Sequence, residues 1–168
     1  MAIADDLDAA FAQYVAKSNA QGYMLRRLAG NFSEGFAAYV GATPNVWNKE
    51  DGKVGGARVR LGEGDAANFK PLGWPHIRTS LGLVNFSISY TLSARDEGAD
   101  YSLVLHLCAK VVEDGYRISI DHHDKEYWVS PSEDVPNRFD LVYAAMVEMI
   151  KRRMDPESIL LHKLKDSA

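Results

Sequence analysis

From Val84 to Ser93 the chain alternates without a break. Val84, Phe86, Ile88, Tyr90 and Leu92 fall on one face, and Asn85, Ser87, Ser89, Thr91 and Ser93 on the other. A period of two marks a strand with one buried side. The pattern returns on either side of Asp114-Gly115, and shorter alternating stretches precede and follow it. Asp-Gly between two such runs is a strong hairpin signal, because a type I′ turn needs positive φ at both central positions. The pattern predicts an antiparallel meander of four to five strands, at about 57–61, 83–93, 101–113, 116–122 and 126–129.

A different period governs the two ends. Ile3, Leu7, Phe11, Tyr14 and Val15 follow helical spacing and predict an amphipathic helix over 3–18. Asn19 to Gly22 reads as a break. A second helical region follows over about 23–40, in two pieces. Gly30 ends the first piece, and Asn31 with Glu34 resembles a capping box that opens the second. Near the other end, Asn137 reads as the cap of a helix carrying Phe139, Val142, Met146 and Met149, and Asp155-Pro156-Glu157 as the start of a last one. A sheet with one apolar face needs cover. The expectation is an α+β fold in a single domain, 1–168, with N-terminal and C-terminal helices packed on one face of the sheet. Residues 62–80 read as a long irregular connection, and long connections in compact domains are often functional.

Composition narrows the role. The net charge of −4 argues against a nucleic-acid binder, which carries a clustered basic face. The basic cluster Lys151, Arg152 and Arg153 falls in the last turn of a predicted helix, where cations suit the dipole. Cys108 is the only cysteine, so an internal disulfide is excluded and a reducing cytoplasm is the simplest setting. Met1 to Asp8 has neither a basic start nor an apolar run, so a secretory signal is not expected. No stretch approaches the ~20 apolar residues that span a bilayer. A cytoplasmic, bacterial-type protein is the expectation, with no membrane partner.

The strand register brings candidate chemistry together. With Asp114 and Gly115 as a two-residue loop, Glu113 stands opposite Tyr116. Cys108 then stands opposite Asp121 and His106 opposite His123, with Cβ atoms ~4.5–5.5 Å apart. In the preceding hairpin the apolar sets align when Ser87 lies beside His106 and Asn85 beside Cys108. The candidate binding set is therefore Ser87, His106, Cys108, Asp121 and His123, joined by Trp74, His76 and Arg78 from the 62–80 loop. Imidazole, thiolate and carboxylate are zinc ligands. A histidine oriented by a carboxylate suits acid–base work, and a serine beside a histidine permits a nucleophile. The pattern places no third or fourth metal ligand, no nucleophile elbow and no oxyanion donor, so the metal question stays open and no catalytic residue is assigned. A solvated sheet face also carries such residues without any task. Gly55-Gly56 and Gly62-x-Gly64 match no phosphate-binding pattern, and no cofactor is expected.

Ile120-Asp121-His122-His123 resembles the Asp-His-His motif of the DHH phosphoesterases, and Asp6-Leu7-Asp8-Ala9 resembles that family's aspartate motif. The resemblance implies manganese or magnesium bound in a parallel α/β domain. Here Asp6 and Asp8 sit in a predicted helix and Asp121 follows an antiparallel hairpin, so the motif lacks its structural context.

The resulting expectation is a non-catalytic interaction module that presents the free sheet face and the 62–80 loop to a protein partner or a second copy. The competing expectation is a small-molecule binder or enzyme with a pocket over that face, using His106, His123 and Asp121.

Overall fold

The computed structural model describes residues 2–42, 45, 56–94, 99–130 and 139–156. Two helices, α1 (Ile3–Tyr39) and α2 (Asp140–Arg153), accompany an antiparallel sheet. Among the described residues the sheet has seven strands, more than the four to five that the alternation predicts. They are β1 (Val59–Glu63), β2 (Lys70–Pro71), β3 (Thr79–Ser80), β4 (Leu83–Ala94), β5 (Ala99–Val112), β6 (Gly115–Ile120) and β7 (Glu126–Val129). Their order is β2-β1-β4-β5-β6-β7, with β3 also paired to β4. The extra strands β2 and β3 are the two-residue pieces inside the 62–80 connection. They are too short to carry a readable period, and pairing with neighbours creates them.

Both helices cover one face, as expected. Val84, Phe86 and Ile88 of β4, Leu103, Leu105, Leu107 and Ala109 of β5, and Ile118 and Ile120 of β6 meet Leu25, Leu28, Phe32 and Phe36 of α1. Val142, Met146 and Ile150 of α2 complete that core. Phe32 sits at its centre, with edge contacts to Phe86 at 5.5 Å and Phe139 at 5.0 Å. The Tyr143 hydroxyl donates to the Phe32 carbonyl at 2.9 Å and ties α2 to α1.

The N-terminal helical region corrects the expectation. It is one unbroken helix of 37 residues, with no break at Asn19–Gly22 and no cap at Asn31. A helical glycine costs about 1 kcal/mol relative to alanine, and tertiary contacts offset it here. A Cβ on Gly30 would lie 2.8 Å from Trp74 Cβ and Cγ, and one on Gly35 would collide with the Tyr143 hydroxyl. These glycines are notches for neighbouring side chains. The helix ends in a Schellman motif: Gly41, at φ +76°, donates to the Ala38 carbonyl, and Ala42 to that of Ala37. The first half of α1 runs past the sheet. Its apolar residues Ile3, Leu7 and Phe11 are 78%, 64% and 65% exposed.

At the far end, α2 begins at Asp140 with no side-chain cap. The expected cap Asn137 and the last helix beyond Pro156 lie outside the described residues.

The outer edge of β1 is occupied along its length. Asn45 Nδ2 donates to the Val59 carbonyl at 2.8 Å, and Asn45 Oδ1 accepts from the Val59 N–H at 2.9 Å. Leu72 N–H donates to the Leu61 carbonyl, and β2 pairs with Gly62 and Glu63.

Candidate functional site

The face of the sheet turned away from the helices carries the alternating polar residues. It is not free throughout. Ser87, Ser89 and Thr91 are buried, Ser89 with only 1% of its surface exposed. The 62–80 connection explains part of this. It folds back so that Phe69 lies against Gly62, beside Ser87, and the Arg60 guanidinium stands 5.6 Å from the Phe69 ring centroid. Nearer the β6 end the same face opens into a cleft of about 680 Å³. Asn85, Ser87, His106, Cys108 and Ser119 lie along its strands. Glu63, Gly64 and Arg78 stand on one wall, and Asp121, His122 and His123 on the other.

The register between β4 and β5 is the expected one: Ser87 pairs with His106 and Asn85 with Cys108. The register between β5 and β6 is not. Val112 pairs with Gly115, so Glu113 and Asp114 form the turn. The shift is a full pleat period, so every side chain keeps its face and only partners change. Cys108 faces Ser119 instead of Asp121. His106 now has Asp121 beside it, and its carbonyl accepts the Asp121 N–H at 2.9 Å. The core explains the choice, since this register sets Leu107 against Ile120, where the expected one would set it against His122.

The expected pairing of His106 with His123 is thereby lost. The chain turns at 120–123, where His123 N–H donates to the Ile120 carbonyl at 3.1 Å and His122 takes φ +64°. His123 Nε2 lies 2.9 Å from the hydroxyl of Tyr127, whose ring packs into the helix-covered core. The two rings are parallel, with centroids 5.8 Å apart. His123 therefore reaches the cleft from the end of the sheet, fastened to the opposite layer.

Ser87 and His106 have defined hydrogen-bond roles. The Ser87 hydroxyl donates to the Gly64 carbonyl at 3.0 Å, and its oxygen lies 2.9 Å from His106 Nδ1. A hydroxyl has one proton, and a carbonyl can only accept. The Ser87 proton thus belongs to Gly64, and His106 Nδ1 must be the donor in the second bond. The neutral ring is the Nδ1–H tautomer, with Nε2 left as an acceptor. This is the reverse of what a serine nucleophile needs, because the histidine holds no lone pair toward the hydroxyl.

Cys108 is partly buried, and desolvation pushes its thiol above the usual range, offset in part by Lys110. A protonated thiol is a poor metal ligand and a poor nucleophile. Among the described residues, no group of three or more His, Cys, Asp or Glu side chains is placed to hold a metal ion. His122 and Asp121 approach to 3.7 Å, but both are well exposed.

Of the three expected loop residues Trp74, His76 and Arg78, only Arg78 joins the cleft. Trp74 lies in a short 3₁₀ turn (Trp74–His76) against α1, edge-on to Tyr23 at 5.6 Å and seated over Gly30. His76 is exposed on that same turn.

Family models, curated proteins and solved structures include no match to this chain.

The sequence pattern does not identify Glu63, Gly64, Ser119 and His122 as cleft residues. Ser119 was within reach, since it shares the outward face of β6. The contribution of Gly64 is a backbone carbonyl, which leaves no side-chain signal. Glu63 enters because its carboxylate accepts the Arg78 N–H at 3.2 Å and holds that wall together.

Proposed function

We propose that this chain is a non-catalytic interaction module, acting in a reducing cytoplasm, whose outward sheet face takes a segment of a partner protein. The observation that carries the reading is the division of labour in the cleft. Its floor groups Ser87 and His106 are committed to each other and to Gly64. Its walls carry the charged Glu63, Arg78 and Asp121. A fixed polar floor with charged walls suits recognition: the walls select a partner, and floor groups such as His106 and Asn85 meet its backbone amides. The fixed tautomer of His106, the raised thiol of Cys108 and the tethered ring of His123 all weigh against catalysis. The test is photocrosslinking in the native host, with the probe at Asn85. A single captured protein, lost with Arg78→Glu and not captured from a probe at Glu34 on α1, supports the reading. Equal capture at both positions, or none, refutes it.

One observation favours a second reading, a small-molecule site. The cleft volume of about 680 Å³ falls in the range of ligand pockets, roughly 300–1,000 Å³. Native mass spectrometry of the purified protein distinguishes the two. A stoichiometric small molecule that is lost in His106→Ala supports this second reading.

A further inference from the structure

The projecting half of α1 carries an apolar surface that, among the described residues, has no partner element. Ile3, Leu7, Phe11, Tyr14 and Val15 recur at helical spacing and are all exposed. They lie on the same face of the helix that Leu25, Phe32 and Phe36 turn to the core further along. The stripe therefore continues past the end of the sheet, with nothing from the described body of the molecule beneath it. Large side chains of this kind offer on the order of 150–250 Å² each. At the exposures seen, these leave roughly 600 Å² of apolar surface, near the ~800 Å² per partner of a standard interface.

Charge selects what covers it. The first turns carry Asp5, Asp6 and Asp8, while Lys17 stands at the other end of the stripe. Two copies laid parallel would set aspartates against aspartates. Laid antiparallel, the Lys17 of each copy comes near the first-turn aspartates of the other, and the apolar segment, centred near Leu7 and Phe11, matches itself. By helical spacing Lys17 and Asp6 also flank the stripe on the same side, and antiparallel pairing sets those sides together. An anionic membrane is disfavoured by the same aspartates.

We propose that the first half of α1 pairs antiparallel with the same segment of a second copy, through Ile3, Leu7, Phe11, Tyr14 and Val15, about a two-fold axis in the Leu7–Phe11 segment. The two sheets then stand at opposite ends of the pair, clear of each other, because the body of each copy begins near Gln21, where Gly82 N–H bonds the Gln21 side chain. This surface is separate from the cleft, and neither reading depends on the other.

Sedimentation of the full chain tests it. The expected result is a dimer, with Phe11→Glu weakening association at least about 30-fold. The helical circular dichroism signal should persist, since Phe11 lies outside the core. Leu7→Asp serves as a second variant. In a Cys108→Ser background, Ala10→Cys near the axis should form an intermolecular disulfide, and Asn19→Cys should not. A monomer at about 100 µM, a dimer indifferent to both substitutions, crosslinking at Asn19 alone, or cosedimentation with phosphatidylserine vesicles in place of dimerisation would each overturn the proposal.

Discussion

Ser87 and His106 face each other across β4 and β5, with Oγ and Nδ1 2.9 Å apart, and the serine proton points away from the ring. The pair fixes a tautomer. Nitrogen NMR of the imidazole should show Nδ1–H in the neutral wild-type ring and a shift toward the Nε2–H form in Ser87→Ala. The same substitution orphans the Gly64 carbonyl and a histidine donor at a position only 3% exposed, so about 1–2 kcal/mol of stability should be lost in urea unfolding.

Gly30 and Trp74 form a lock between α1 and the 62–80 connection. Helix propensity alone makes Gly30→Ala stabilising by about 1 kcal/mol. The Trp74 side chain, 2.8 Å from the new methyl group, reverses that sign. The variant should be destabilised by about 1–3 kcal/mol. In a Trp74→Gly background, which removes both the Cβ and the Cγ that the methyl meets, the penalty should vanish, and a double-mutant cycle measures the difference.

His122 holds a left-handed backbone at φ +64° in the turn that closes one wall of the cleft. A β-branched residue tolerates that region worst. His122→Val should cost about 1–2 kcal/mol, while His122→Gly should be near neutral, since relief of strain offsets glycine's entropy. Thermal denaturation of the two variants provides the comparison.

Two groups make stability sensitive to high pH. Burial raises the Tyr143 phenol, aided by the Asp140 charge, and burial also raises the Cys108 thiol. For Tyr143 the unfolded chain releases its proton near pH ~10 while the native state retains it. Stability is therefore unaffected below that pH and falls as pH climbs past it. Tyr143→Phe should show a shallower decline in urea titrations above pH ~10. For Cys108, reaction with a disulfide reagent should be slower than for a small free thiol at pH ~7.5, and should keep accelerating above the ordinary thiol midpoint.

The strands were the most legible part of the chain. Alternation from Val84 to Ser93 fixes both faces of β4, and the partner sets of β5 follow from it. Helix continuity was not legible, because Gly22 and Gly30 look like breaks until the side chains packed against them are known. The β5–β6 register failed for a related reason. Asp-Gly signals a turn, but packing of Leu107 on Ile120 decided which two residues form it. The candidate site was partly readable, since Ser87, His106, Cys108 and Asp121 do share a face. Trp74 and His76 were placed with them only through proximity in sequence, and tertiary packing carries both to α1.

Asn45 has a consequence for behaviour at high concentration. An exposed strand border is a template for runaway association. On one side of this sheet the template is blocked, since the Asn45 amide engages the groups an incoming strand would need. Among the described residues such growth is left to the β7 border, where Lys125 and Glu126 stand, and to the first half of β5, which β6 pairs only from Leu107 onward. Engineering against precipitation should therefore begin at Trp128 of β7 and Tyr101 of β5, both exposed, and not at β1.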